Sequence, residues 1–253
     1  MTSVVTENET TTDGADADTN GAPAKEGDSW WKGCCGLNGD AKDEKGTPTK
    51  TMTEAEAAAA AKAAAARGEV RVPEDCKTLK EAMARMKGDD GLTTIVLGKG
   101  EHEIDGWLLK IWSAMNIVGD PRVPKSEIVV MGGIEFEKGI PGNCHLQHLA
   151  LRQAKQSGVV GQSSFTMEDV LVEQCGESGV CAAGTGVVGR CTNVEVRQCG
   201  TSGVHAVSGA SIILIGAKTT VHHNCTRGGT GHHGLEVNVS SSSTIQLVSP
   251  LTK

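Results

Sequence analysis

One pattern occurs three times in this chain, as LALRQAKQSGVV at residues 149–160, VLVEQCGESGVC at 170–181 and VEVRQCGTSGVH at 194–205. The copies are offset by 21 and 24 residues. Each begins with apolar residues two positions apart and ends with the triplet Ser-Gly-Val followed by one further residue. Alternation with a period of two is typical of a β-strand that buries one face. The chain is therefore predicted to repeat a unit of strands and turns.

The copies align into columns of equivalent residues. We expect two apolar columns to point into the protein: Leu149, Val170 and Val194, and then Leu151, Val172 and Val196. A weaker fourth copy, TTVHHNC at 219–225, extends the two columns that follow, which are Gln153, Gln174, Gln198 and Asn224, and then Cys175, Cys199 and Cys225. We interpret the amides as a ladder at a turn, in which each side chain bonds to its neighbours, and the cysteines as stacked small apolar side chains.

The repeat length restricts the fold. Helical-pair solenoids have longer units, and leucine-rich repeats need a Leu-Asn ladder that is absent here. A solenoid of β-coils fits, with each coil stacked on the last at about 4.8 Å through parallel hydrogen bonds. Aromatic residues make up 2% of the chain and glycine contributes 33 residues, which agrees because small and branched side chains suit the interior of a coil.

The composition changes near Gly68. Residues 1–68 are rich in Thr, Ala, Gly and Asp, and they are predicted to form a disordered arm with an Ala-rich helix at 53–67. Residues 69–253 are predicted to form the β-helix domain, with a cap at 69–92 that contains an amphipathic helix, and coils at 93–253. Because no cap follows SSSTIQLVSPLTK at 241–253, we expect either a truncated C-terminus or an end covered by a partner or by a second copy.

A family resemblance adds to this interpretation. The segments VPEDCKTLKEAM, TTIVLGKGEHEI and MNIVGD, together with the repeats, resemble the right-handed parallel β-helix of the pectin-lyase-like superfamily over residues 69–253. The chain is also similar to uncharacterised β-helix repeat proteins of unicellular algae. The resemblance implies an all-β fold, a single-stranded right-handed parallel β-helix with an N-terminal capping helix. Its members include polysaccharide lyases, epimerases and F-box-type adaptors, so it does not select one function.

An outward column of titratable residues is the candidate catalytic site: Arg152, Glu173, Arg197 and His223. Such a column could bind a polyanion or act as acid and base. The alternative is a salt-bridge ladder between coils, which would stabilise each exposed pair by less than about 1 kcal/mol. The Asp clusters and Asp-Pro-His motifs of the family's enzymes are absent, and the alternative is favoured.

A second cluster has the residue types of a metal site: His222, Cys225, His232 and His233. These ligand types suit Zn²⁺ or Cu²⁺, but their spacing matches no recognised site. A surface loop is the favoured interpretation, and no cofactor is expected.

The tryptophans fall into two groups. Trp30 and Trp31 precede Cys34 and Cys35 in the arm, which indicates either a plain linker, a docking peptide or a lipidated tether. Trp107 and Trp112 lie near the predicted cap, where we expect both to pack.

The remaining features bear on function. A net charge of −7 disfavours nucleic acid as a partner. Neither a signal peptide nor a transmembrane stretch is evident, which predicts a cytoplasmic protein. We expect a non-catalytic scaffold that binds a protein or polysaccharide ligand on its outer parallel sheet, with end-to-end self-association through an uncapped last coil. The alternatives are a lyase or epimerase acting on acidic polysaccharide, and an F-box-type adaptor in ubiquitin-dependent turnover.

Overall fold

The computed structural model of this protein describes residues 68–228, 231–238 and 242–251. Each strand pairs in parallel with a strand that lies about one repeat further along the chain. Val172 pairs with Leu151 on one side and with Val196 on the other, so the observed register is that of the sequence repeat. The predicted all-β parallel β-helix is confirmed over these residues, in about six turns.

Each coil contributes strands to three faces, which we call faces A, B and C in the order in which the chain visits them. Face A contains β1 (Glu69–Val72), β2 (Thr94–Leu97), β4 (Asn116–Gly119), β10 (Val188–Thr192), β13 (Ser211–Ile215) and β16 (Thr244–Val248). Face B contains β11 (Glu195–Arg197) and β14 (Thr220–His222), and face C contains β7 (Val159–Gly161), β9 (Val180–Ala183), β12 (Val204–Val207) and β15 (Leu235–Val237). Four strands turn a corner: β3 (Gly100–Ile111) and β5 (Ile128–Phe136) from B to C, and β6 (Cys144–Arg152) and β8 (Phe165–Glu173) from A to B.

The helix α1 (Leu79–Gly88) covers the N-terminal end of the coils and confirms the predicted capping helix. Thr78 caps it, since the Thr78 hydroxyl accepts a hydrogen bond of 3.1 Å from the backbone N–H of Glu81. Trp112 packs at this cap as expected, with the Lys87 ammonium 4.7 Å from its ring centre. The same expectation is wrong for Trp107, which is 62% exposed.

The interior is filled by the predicted apolar columns, whose six members are all completely buried. The glycine of the Ser-Gly-Val triplet is required by close packing between coils. A Cβ atom added at Gly179 would lie 2.3 Å from Val196 Cγ1 and 2.7 Å from the carbonyl oxygen of Gly203. Any larger residue there would push neighbouring coils apart.

The corner after face B is made by backbone conformation rather than by amide side chains. Gln153, Gln174 and Gln198 have φ angles of 54°, 57° and 56°, in the left-handed region. Their side chains are exposed, and within residues 68–228 they form no hydrogen-bonded ladder. The predicted amide ladder is therefore wrong for these three residues, although their column is real.

The predicted alignment of the fourth copy is wrong by one residue. His222, not His223, pairs with Arg197, and the backbone N–H of Gln198 donates to the carbonyl oxygen of His223. His223 has the left-handed φ of the glutamine column, at 53°. Asn224 lies beside Cys199 instead of continuing the amide column, because its Oδ1 accepts from the Cys199 N–H at 3.0 Å.

The cysteine column is correspondingly shorter than predicted. Cys175 and Cys199 are buried on adjacent coils, and their thiols interact with each other. Interaction between the two thiols raises the pKa of Cys175 and lowers that of Cys199. Each thiol also donates to a backbone carbonyl oxygen, Cys175 to that of Glu173 and Cys199 to that of Arg197. Cys225 is only half-buried and has a left-handed φ of 65°, so it has left the column.

The predicted arm lies outside the described residues. This includes the Ala-rich helix at 53–67 and the tether residues Trp30, Trp31, Cys34 and Cys35. In the part of the chain that the structure describes, no helix has the length and apolar character needed to cross a membrane.

Candidate functional site

The predicted catalytic column on face B forms an ion-pair ladder. Glu173 lies between two arginines: Arg152 Nε is 2.5 Å from its Oε1, and Arg197 Nε and Nη2 are 2.8 and 2.7 Å from its Oε2. Only 5% of Glu173 is exposed. Both oxygens of this carboxylate therefore have a cationic partner, and neither remains free to act as a base.

The ladder continues toward the C-terminal coils. Arg197 Nη1 lies 2.9 Å from Glu195 Oε1, and His222 Nε2 lies 3.5 Å from the same oxygen. The hydrogen bond to Glu173 raises the pKa of Arg197, which keeps that guanidinium charged. His223, the fourth predicted member, lies at the corner, where its Nδ1 is 2.6 Å from Nδ1 of His222 at the end of the ladder. The arrangement favours the ladder interpretation over the catalytic one.

Beside the ladder, face B carries an outward apolar patch formed by Val129, Ala150 and Leu171. These side chains are 4%, 0% and 6% exposed although they point away from the coil interior. A 3-10 turn, Lys125–Glu127, lies against β6 and β8 at this edge, and Lys125 Nζ is 2.6 Å from Asp169 Oδ1. Face B is consequently a packed surface rather than an open binding sheet.

The four predicted metal ligands lie in different places. His222 faces Glu195 on face B, and His232 Nδ1 lies 3.7 Å from Glu236 Oε2 on face C. His233 is exposed and Cys225 is half-buried. Among residues 68–228, 231–238 and 242–251 no three His, Cys, Asp or Glu side chains are placed to hold a metal ion together.

Face C carries a column that the sequence analysis did not single out. Cys181, His205 and Glu236 are paired in register on three successive coils. His205 Nε2 lies 3.6 Å from Glu236 Oε1, and the buried Ser202 hydroxyl donates a hydrogen bond to the other oxygen of Glu236. We call these three residues the face C column.

A cavity of about 310 Å³ opens beside the face C column. Glu177, Thr201 and Arg227 contribute to its lining, together with His232. Burial raises the pKa of Cys181 to about 11, and the negative charges of Glu177 and Glu236 add to this shift. The cavity thus brings a protonated thiol, imidazoles, carboxylates and a guanidinium together, some from the strands of face C and some from the adjoining turns.

The last position of the aligned repeat contains part of this column. Cys181 and His205 each follow the Ser-Gly-Val triplet directly, in the position that Val160 occupies in the first copy. Glu236 is the equivalent residue of the fourth copy, but the insertion at 226–233 separates it from the rest of that copy. The spacing of the sequence repeat therefore does not identify Glu236 as the third member of the column.

A larger cleft of about 640 Å³ lies at the corner between faces C and A. Its polar side chains are mostly uncharged: Lys138, Gln162, Ser163, Ser164, Thr185 and Ser208. Several of them have fixed orientations. Gln162 Nε2 donates to Glu135 Oε1 at 2.7 Å, and the Ser164 hydroxyl accepts from the Val188 N–H at 3.0 Å. We call this feature the corner cleft.

Comparison with protein-family models, with curated proteins and with solved structures finds no match for this chain. The fold and the geometry of its surface define a parallel β-helix protein. The finer resemblance to the pectin-lyase-like superfamily and to algal β-helix proteins stays a prediction.

Proposed function

We propose that this protein is a binding scaffold and that a carbohydrate chain lies in the corner cleft without being chemically altered there. The observation that carries the proposal is the lining of the cleft: three serines, a threonine, a glutamine and one lysine, between glycine-rich corners. Hydroxyl and amide groups both donate and accept hydrogen bonds, which matches the hydroxyl groups of sugars. Lys138 offers the single formal charge among these side chains.

A protein partner fits this lining less well. Protein interfaces concentrate binding energy in Trp, Tyr and Arg anchors, and none of these residue types lines the corner cleft. Without an aromatic platform, a sugar would be held mainly by neutral hydrogen bonds, each of which contributes about 0.5–1.5 kcal/mol. At about 1 kcal/mol each, four or five such bonds supply roughly 4–5 kcal/mol, which corresponds to a dissociation constant of about 0.2–1 mM before the entropic cost of association is subtracted. We therefore expect weak binding that strengthens with oligosaccharide length.

The alternative of a lyase or epimerase loses its predicted acid–base group, because the ion-pair ladder on face B occupies both oxygens of Glu173. No observation favours the adaptor. The scaffold is therefore the function that the described surface supports best.

The test titrates the full-length protein with neutral and uronate oligosaccharides and follows binding by NMR. The double substitution Lys138→Ala, Gln162→Ala should weaken binding about tenfold, because two polar contacts are removed. Lys218→Ala is the matched control, since Lys218 is an exposed lysine outside the cleft. Unchanged affinity in the double variant would contradict the proposal, and formation of an unsaturated uronate product would replace it with a lyase.

A further inference from the structure

The face C column places three different reactive side chains next to one another on successive coils. A thiol, an imidazole and a carboxylate lie on successive coils at Cys181, His205 and Glu236. Nucleophilic catalysis by cysteine requires these groups: a nucleophile, a base that removes its proton, and a partner that orients the base. We infer that the face C column is an acyl-transfer site that accepts small carboxylic esters.

The positions of the groups suit these roles. His205 Nε2 is the nitrogen on the Glu236 side, at 3.6 Å from Oε1, which leaves Nδ1 for the opposite side of the ring. Cys181 is paired with His205 from that opposite side, one coil away, at about 4.8 Å along the axis. The carboxylate is itself held, because completely buried Ser202 donates to it. Distances in sites without substrate are commonly longer than in the reacting complex.

The surroundings of the thiol explain why it needs a base. Burial and the charges of Glu177 and Glu236 keep Cys181 protonated at neutral pH, so it is a poor nucleophile by itself. A neighbouring imidazole can remove the proton as the thiol attacks. Arg227 lines the same cavity and supplies a positive charge for the oxygen that becomes negative in the transition state.

The reaction balances with the ester and water as its reactants. The Cys181 thiol proton moves to His205 Nδ1 while Sγ forms a bond to the acyl carbon of the ester. The C–O bond to the alcohol then breaks, and His205 returns the proton to the departing alkoxide. Water hydrolyses the resulting thioester by the reverse proton path, which releases a carboxylic acid and restores the thiol.

The cavity limits the acyl donor. Its volume of about 310 Å³ and its polar lining fit a short acyl group on a polar alcohol, and they exclude a long fatty acyl chain. The site is separate from the corner cleft, so it does not depend on carbohydrate binding there.

The first test measures how fast iodoacetamide alkylates each cysteine of the full-length protein, resolved by peptide mass spectrometry at neutral pH. His205→Asn should slow alkylation of Cys181 at least tenfold, within the range that a general base contributes, about 10²–10⁴-fold for a complete loss. Cys76 is the internal control, because it is a half-buried thiol with a raised pKa at the other end of the molecule. Equal rates for Cys181 in the two proteins would overturn the inference.

The second test uses p-nitrophenyl acetate as the acyl donor. We expect an acetyl group on Cys181 in the quenched protein, and loss of the fast phase of nitrophenol release in Cys181→Ala. Glu236→Gln should slow acetylation of Cys181, because the carboxylate that orients His205 is lost. The glutamine side chain still offers an oxygen that can accept the hydrogen bond from Ser202. Thermal unfolding of each variant checks that the fold is intact. Acetylation of Cys76 as fast as that of Cys181, or no acetyl group on Cys181, would contradict an assigned site.

Discussion

Faces B and C each carry a column of titratable side chains at equivalent outward positions of successive coils, yet the two columns behave differently. On face B the charges alternate in sign, and Glu173 is bound by two arginines at 2.5–2.8 Å. On face C the order is thiol, imidazole and carboxylate, and the imidazoles remain 3.6 and 3.7 Å from Glu236. One column is closed by its own contacts, and the other borders a cavity.

The difference shows what makes an outward column on a β-helix structural or functional. Parallel stacking brings every outward side chain next to its equivalents about 4.8 Å above and below. Where neighbouring side chains have opposite charges, they form ion pairs with each other and their polar atoms cannot bind a ligand. Where neighbouring side chains do not have opposite charges, as at Cys181 and His205, their polar atoms can still bind a ligand. Substitutions in the apolar interior beneath faces B and C should therefore cost more stability than substitutions in either outward column.

The largest expected effect comes from placing a charge in that interior. Val172→Asp should lower the free energy of unfolding by at least about 4 kcal/mol, because Val172 is completely buried between Leu151 and Val196 and the carboxylate would have no partner. Urea unfolding followed by circular dichroism measures this.

Val160→Asp is the matched control for that substitution. Val160 is also a strand valine, but it points outward on face C and is half-buried. Its replacement should lower the free energy of unfolding by only about 1 kcal/mol, since strand propensity and some packing are lost without burying a charge. Equal losses in the two variants would mean that the inward and outward positions are misassigned.

A second matched pair compares the two columns directly. Glu173→Gln should lower the free energy of unfolding by about 2 kcal/mol, because charge-assisted contacts to two arginines are lost. Glu236→Gln keeps an acceptor for Ser202 and should change stability by less than about 0.5 kcal/mol. Chemical denaturation of both variants at low and high salt provides the measurement. A larger loss at Glu236 would assign the structural role to face C instead.

The repeat was sufficient to predict the fold because its signal is physical and redundant. Inward residues such as Leu151 and Val172 must be apolar in every coil, and the glycine of Ser-Gly-Val must be small in every coil. These constraints recur at one period, so the register of the first three copies is correct. The alternating charges of Arg152, Glu173 and Arg197 likewise predict the ion-pair ladder on face B.

The sequence pattern is misleading where the repeat is interrupted. The fourth copy was aligned on Asn224 and Cys225 because their residue types resemble Gln and Cys, yet the backbone follows His222 and His223. The insertion at 226–233 then concealed Glu236. Exposed positions such as the Gln column carry little packing information, so the sequence could not show that their common property is a left-handed backbone.

The corrected register predicts different losses of stability when either of two neighbouring histidines is replaced by valine. His223→Val should lower the free energy of unfolding by about 1–2 kcal/mol, because a β-branched residue is disfavoured at its φ of 53°. His222→Val should be nearly neutral, because His222 lies in strand β14, where valine is well accepted. Thermal unfolding of the two variants distinguishes the registers, and the reverse order would restore the alignment that places His223 in the strand.

The smallest expected effect concerns the corner between faces A and B, beside the ladder. Burial alone would raise the pKa of Asp169, but hydrogen bonds from Lys125 and His148 outweigh it and lower the pKa below its usual range. Because the folded-state pKa is lowered, the ionised Asp169 side chain stabilises the folded protein. This stabilisation is fully present above the unfolded-state pKa of about 3.9 and is lost as the pH falls through the folded-state pKa. This stabilisation should stay below about 1 kcal/mol, since the Asp169 side chain is 35% exposed.

The Asp169→Asn variant should therefore be less stable than the natural protein at neutral pH, and the difference in the free energy of unfolding should narrow below about pH 4. Urea unfolding of both proteins across this range tests the sign, and a difference that widens on acidification would show that the carboxylate destabilises this corner.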